Sequence, residues 1–174
     1  MIKCLVLCSA AYEIFLQISA LKILIDKKYI IQSEIKEYFC TSSGSIVAFL
    51  LMLGLDFDII YEYLLNRPWH KLLNIDANKL INSYSNCGIF DKEVFIKGFT
   101  PLFKLANLDL NISLREFNEF NGVNFNIFCS DTNTFKKKIF NYKTAPELSL
   151  LDAIYMSCSI PFLFKPMRYK DVIY

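Results

Sequence analysis

The sequence has little of what most catalytic and metal sites use. His70 is the only histidine in 174 residues. It stands in Arg67-Pro68-Trp69-His70, away from every other chemically suggestive stretch. A general base must lie within hydrogen-bond reach of its serine, so His70 is read as a surface or structural residue. Six cysteines, at 4, 8, 40, 87, 129 and 158, form no C-x-x-C pair. With one histidine to complete a set, structural zinc is not expected; neither a metal nor a cofactor is. Excess charge is lacking too. A net charge of +2 gives no reason to invoke nucleic acid. Long apolar runs are also missing. The run Ile46 to Leu55 covers ten residues, and a membrane-spanning helix needs about 20. No internal repeat, low-complexity tract or linker divides the chain.

What is present is a large apolar fraction. Hydrophobic residues make up 54% and the mean hydropathy is +0.32. That admits a thick core, a membrane-facing surface, or an interface with further chain. A chain of this length suits one domain, residues 1–174, that buries roughly 70% of its unfolded surface. Cysteines set inside apolar runs read as small buried hydrophobes in a reducing, cytoplasmic compartment. The N-terminus, Lys3 then Cys4 to Ala11, has the outline of a signal peptide, but Glu13 breaks it and a helical pattern follows. Lys136-Lys137-Lys138 lies beside a short apolar strand. We read it as the guard of an exposed edge in preference to a phosphate patch.

The most informative stretch is Phe39-Cys40-Thr41-Ser42-Ser43-Gly44-Ser45-Ile46. A mixed apolar run leads in and a long apolar run leads out. That is the layout of a sharp strand-to-helix turn with a serine at its apex, whose neighbours two residues either side must be small. Ser42 fits that register, with Cys40 before it and Gly44 after it; Ser43 fits it less well. Helix capping by Ser42 or Ser43 is the plainer alternative. As a nucleophile, Ser42 would face the N-terminus of the following helix, which favours developing negative charge.

In chain order, Ile2–Cys8 is a candidate buried strand. Ser9-Ala10-Ala11 is a small-residue loop, and Ile14–Leu24 has helical spacing. Ile35–Phe39 is the second strand. Strands joined in this way are parallel and right-handed, which places loops 8–13 and 40–45 on one edge of a sheet. Asp56–Leu65 is a helix. Residues 66–110 read as short helices and loops without a placeable site. Ser113 to Glu116 is a capping box opening a helix that Asn121-Gly122 closes. Val123–Cys129 and Lys138–Tyr142 are neighbouring strands. Ser149 caps a helix to about Ser157, Pro161 and Pro166 impose an extended segment, and Arg168–Tyr174 is a last strand.

In that order the chain resembles the patatin-like phospholipase family. Leu5-Val6-Leu7, Ser9-Ala10-Ala11, Ile14 and Ile18-Ser19-Ala20-Leu21 are similar to its first strand, glycine-rich loop and helix. Phe39 to Ile46 resembles its G-T-S-x-G-S elbow, and Asn124 to Ser130 its middle strand. The most specific block is Ser157-Cys158-Ser159-Ile160-Pro161 with Phe164-Lys165-Pro166. The resemblance implies a three-layer α/β/α fold with a mostly parallel central sheet. It implies hydrolysis of lipid or acyl esters at a membrane surface, with the chain peripheral to that membrane. Catalysis would use a serine–aspartate dyad. Ser42 maps onto the nucleophile, Cys40, Ser43 and Gly44 onto the elbow, and the amides near Ser9, Ala10, Ala11 and Ser43 onto the oxyanion donors.

Three departures weigh against activity. The loop's G-G-G-x-(K/R)-G reads Ser9-Ala10-Ala11-Tyr12-Glu13-Ile14, so side chains oppose a positive φ and Glu13 replaces a basic residue. Cys40 replaces the elbow's first glycine. The D-G-G or D-G-A aspartate would follow Tyr174; Asp152 and Asp171 do not match it by motif. The expectation is a weak or inactive lipid acyl hydrolase that lacks the segment after its last strand and self-associates through that edge. The alternative is a non-catalytic relic that binds a lipid or partner.

Overall fold

The structure, a computed structural model, describes residues 2–174. It begins with a strand, a crossover helix and a parallel strand. β1 (Cys4–Leu7) leads through a 3-10 turn at Ala11–Glu13 into α1 (Ile14–Asp26), and β2 (Glu37–Thr41) then pairs in parallel with β1. β1 is not the buried strand expected over Ile2–Cys8. It is the outer strand of its sheet, and Val6 is 76% exposed. β2 starts later than Ile35 because Gln32–Glu34 form a 3-10 turn, whose Gln32 carbonyl accepts the Ile35 amide.

α2 (Ser43–Met52) follows β2 at once and is buried at nine of its ten positions, every one but Ile46. That burial explains a run apolar on all sides. Gly54, at φ +71°, ends it in the left-handed region. α3 (Phe57–Asn66) opens at Asp56, whose carboxylate accepts the Asp58 amide at 2.8 Å.

The middle of the chain holds more structure than its pattern suggested. α4 (Trp69–Leu72), α5 (Ala77–Asn86), β3 (Gly88–Phe90) and α6 (Glu93–Leu105) follow in order. α6 was hidden by Pro101. A helical proline leaves the carbonyl four residues earlier without its donor. Here that carbonyl is on Lys97, and the Arg67 guanidinium donates to it at 2.7 Å.

α7 (Leu114–Asn121) carries the expected capping box. The Ser113 amide donates to the Glu116 carboxylate and the Glu116 amide to Ser113 Oγ. β4 (Asn124–Asp131) is parallel to β2, and β5 (Lys136–Phe140) is antiparallel to β4. α8 (Leu150–Cys158) is not capped by the Ser149 side chain. Instead the Leu150 amide donates to the Ile112 carbonyl at 2.9 Å. β6 (Phe162–Phe164) pairs with β3 in a separate small sheet. The single last strand expected over Arg168–Tyr174 is a hairpin of β7 (Arg168–Tyr169) and β8 (Val172–Ile173). Lys170 and Asp171, at φ 46° and 63°, turn it in the left-handed region that such tight turns require.

The main sheet has the order β1-β2-β4-β5 and is mostly parallel, with helices flanking it. Leu7, Tyr38, Cys40 and Ile127 share a fully buried face; Phe39 and Phe128 stack on the more open one. β5 is the outer strand at the other side, and its three lysines are exposed, as an edge guard should be. No helix among the described residues is long and apolar enough to cross a membrane.

The core centres on aromatic packing around α2. Phe49 is fully buried, with ring centroids of Phe103, Phe99 and Phe117 at 5.1, 5.8 and 6.2 Å. We expect Phe49→Ala to lower the unfolding free energy by about 3–5 kcal/mol. Leu65→Ala, at a half-exposed position, should stay within about 0.5 kcal/mol. Urea denaturation followed by far-UV circular dichroism measures both.

Candidate active site

Because β1 and β2 are parallel, the loops after them leave the same edge of the sheet. There the chain turns from β2 into α2 at Ser42, with φ 52° and ψ −129°. A non-glycine residue in such a region costs on the order of 1–3 kcal/mol and persists only where its surroundings enforce it. The enforcement is visible. The Ser42 amide donates to Ser157 Oγ at 2.8 Å, and the Ser157 hydroxyl donates onward to the Phe128 carbonyl at 2.6 Å. Ser45 Oγ lies 3.4 Å from the same Ser157 oxygen. One hydroxyl at the end of α8 thereby ties the elbow to β4. The Ser42 side chain makes no capping bond, so the capping alternative does not describe it. Ser43 is the first residue of α2 and is buried.

Gly44 is required by close approach. A Cβ there would sit 2.2 Å from the Leu7 carbonyl oxygen and 2.8 Å from that of Cys8. The first turn of α2 rests directly on the carboxyl end of β1. Cys40, in the place of the elbow's other glycine, meets no such limit. It pairs with Leu7 on one side and Ile127 on the other, and it is 1% exposed. Burial pushes its thiol up to about 12. Burial does the same to Cys129 and Cys158. All three are protonated at neutral pH and are not nucleophiles.

The loop departs from expectation in two ways. Ala11 takes φ 44° despite its methyl group, so positive φ survives the loss of glycine. The Ala10 amide, expected among the oxyanion donors, instead donates to Ser43 Oγ at 2.7 Å. Ser9 is exposed. Glu13 closes the 3-10 turn through its amide, which donates to the Ala10 carbonyl at 2.7 Å, and its side chain is exposed.

Three aspartates, Asp131, Asp152 and Asp171, are engaged elsewhere. Asp152 pairs with Lys92 at 2.6 Å, and Asp171 with Arg168 at 3.1 Å. Asp131 ends β4 and is 2% exposed. Burial works to raise its pKa, but hydrogen bonds from Thr134 and Asn133 and the nearby Lys138 outweigh it and hold the carboxyl below the ordinary range. His70 is exposed on α4. The bonds that fix the elbow come from serine hydroxyls and backbone groups.

Ser157 is the elbow-holding residue that periodicity missed. Nothing in its local pattern marks it, and only its place in the Ser157–Pro166 block singled it out. Beside the elbow lies a cavity of about 380 Å³ lined by Thr41, Phe128, Cys129, Ser130, Lys137 and Ser157. A second cavity of about 350 Å³ lies in the middle segment. Its lysines are partly neutralised locally, Lys97 by Glu93 and Lys165 by Asp91.

The Gly44 contact yields a test. Gly122 has open space around it and only a φ of +68° to oppose a side chain. We expect Gly44→Ala to cost about 1–3 kcal/mol or more through overpacking against backbone, and Gly122→Ala about 1 kcal/mol. Equal losses in urea denaturation would remove the contact with Leu7 as the reason for glycine.

Comparison with known proteins bears on the family and the fold. A family model described as patatin-like phospholipase matches residues 13–174. The chain is 29% identical over 144 residues to the "Probable lipid hydrolase 463L" of Invertebrate iridescent virus 6, a match covering 82% of this chain and 49% of that protein. It therefore spans about half the length of that relative. VipD from Legionella pneumophila is similar in structure, with a TM-score of 0.61 at 14% identity over 99% of this chain and 45% of that one. Full-length ExoU, solved in complex with SpcU from the type III secretion system of Pseudomonas aeruginosa, gives a TM-score of 0.60 at 16% identity, over 92% and 38%. At such identities these two structures speak for the fold alone. The matched region takes in the elbow and every later element, and this chain belongs to the patatin-like phospholipase family.

Proposed function

We propose that this chain carries the nucleophile of a lipid acyl-ester hydrolase, and that Ser42 is that nucleophile. The observation that carries the reading is the φ of 52° at Ser42, held at the edge where β2 enters α2. A serine strained there presents its hydroxyl outward and its own following helix inward.

In the reaction, Ser42 Oγ attacks the ester carbonyl carbon and gives up its proton to a base. The carbonyl oxygen becomes an oxyanion. With the Ala10 amide committed to Ser43 Oγ, the Ser43 and Ala11 amides, with that of Ser9, are the donors left to receive it. Collapse expels the alcohol, which takes the proton from the base. Water then releases the acyl group from Ser42 by the same route. The base is a carboxylate other than Asp131, Asp152 or Asp171, each held by its own partners. The family motif would put it directly after Tyr174. Tyr174 packs on Phe140 at 5.2 Å, in a hairpin tied to the end of β4 by the Thr132 amide and the Ile173 carbonyl.

The ester is met at a membrane surface. Tyr12, 84% exposed, and Leu16, 70% exposed, stand one helical turn apart where the loop enters α1, and offer apolar contact. The edge expected to self-associate followed the last strand, but that segment is a hairpin outside the main sheet, and the outer edge of β1 takes over as the place for self-association.

A second reading is a binding module without turnover. The loss of loop glycines and the engagement of the Ala10 amide favour it. A serine-reactive phosphonate separates the two. We expect labelling of the native chain, and labelling at least about 10³ times slower in Ser42→Ala. Equal labelling of native chain and Ser42→Ala contradicts the assignment. No labelling and no ester cleavage, with vesicle binding intact, favours the binding module.

A further inference from the structure

Strand alternation decides what the cavity beside the elbow can hold. Along β4, Phe128 and Ser130 point to one side of the sheet and Cys129 and Asp131 to the other. On β5, Lys137 pairs with Ser130 and Lys138 with Cys129. The lysine run therefore splits between two faces. Lys138 reaches Asp131, 3.9 Å away. Lys137 lies on the opposite side, its ammonium 5.3 Å from the Phe128 ring centroid, and lines the cavity of about 380 Å³.

The lining has one ammonium, the hydroxyls of Thr41 and Ser130 and an aromatic ring, and no carboxylate; the Ser157 hydroxyl there is already engaged with the Ser42 amide and the Phe128 carbonyl, and the Cys129 side chain belongs to the other face. Such a set complements a ligand with several acceptor oxygens and negative charge. The volume is in the range that holds a small ligand or a headgroup. The cavity also shares a wall with the elbow, because Ser157 Oγ is the group that accepts the Ser42 amide. Lys137 is the one cation in the lining.

Resting on the reading of Ser42 as nucleophile, we propose that this cavity is a headgroup subsite: it holds the phosphate of a phospholipid whose ester is presented to Ser42, and Lys137 selects for that charge. Edge protection accounts for an exposed lysine on β5, but not for a lysine turned into a cavity of hydroxyls.

The test measures binding first, so that it does not depend on turnover. A short-chain phosphatidylglycerol with ether links in place of esters is titrated below its micelle concentration by calorimetry. The proteins are the native chain, Lys137→Met and Lys136→Met, the last on the same strand but not lining the cavity. We expect Lys137→Met to weaken binding about 5- to 20-fold, the size of a charge-assisted hydrogen bond tempered by exposure. Lys136→Met should change it less than about 2-fold, with an uncharged diacylglycerol ether unaffected by either. Equal losses in both variants, or none, overturn the subsite. Inorganic phosphate binding as tightly as the ether lipid makes it a free-anion site and also overturns the headgroup assignment. Labelling of the same three proteins with an uncharged phosphonate separates the two readings. Labelling without any Lys137 effect on binding sinks the subsite alone. Lys137-dependent lipid binding without labelling sinks the nucleophile and leaves the subsite standing.

Discussion

The contact of Gly44 with the carboxyl end of β1 is the constraint on which the site depends. With backbone oxygens of Leu7 and Cys8 closer to Gly44 than any side chain allows, α2 can start only where it does. That start leaves a single residue, Ser42, to reverse the chain between β2 and the helix. The reversal is strained, and the Ser157 hydroxyl holds it by joining the Ser42 amide to the Phe128 carbonyl. Three elements distant in sequence therefore fix one backbone angle.

The same contact shapes the loop above. Ser43 is carried on the first turn of α2, and its hydroxyl takes the Ala10 amide. An alanine-based loop keeps a left-handed residue at Ala11 because it is anchored from below. Glycine is the usual means of reaching such an angle without cost. Here a hydrogen bond to a side chain substitutes for part of that freedom, and one backbone donor is committed in return. The chain thus preserves the elbow more faithfully than the oxyanion loop.

The elbow was legible in the sequence because its signal is local: small residues at set distances from Ser42, then an apolar helix. The crossover helix and the Ser113–Glu116 capping box were legible for the same reason. What escaped depends on partners elsewhere in the chain. α6 tolerates Pro101 because Arg67 supplies a donor to Lys97. β3 and β6 are strands only by pairing with each other across more than seventy residues. The terminal hairpin turns at Lys170 and Asp171, neither of which announces a turn as Asn-Gly would. Ser149 resembles a cap, yet the backbone at Ile112 satisfies the helix start. At the site, Ser157 was visible only as part of a family block, and the division of Lys136, Lys137 and Lys138 between two faces needed the register of β4 and β5.

The central claim is that a loop without glycine still faces an oxyanion across a strained Ser42. A crystal structure of the phosphonylated protein tests it most directly. The account predicts phosphorus bonded to Ser42 Oγ, and a phosphonyl oxygen roughly 2.7–3.1 Å from the Ser43 and Ala11 amides. A phosphonyl oxygen turned to solvent, with those amides bonded elsewhere, would contradict it.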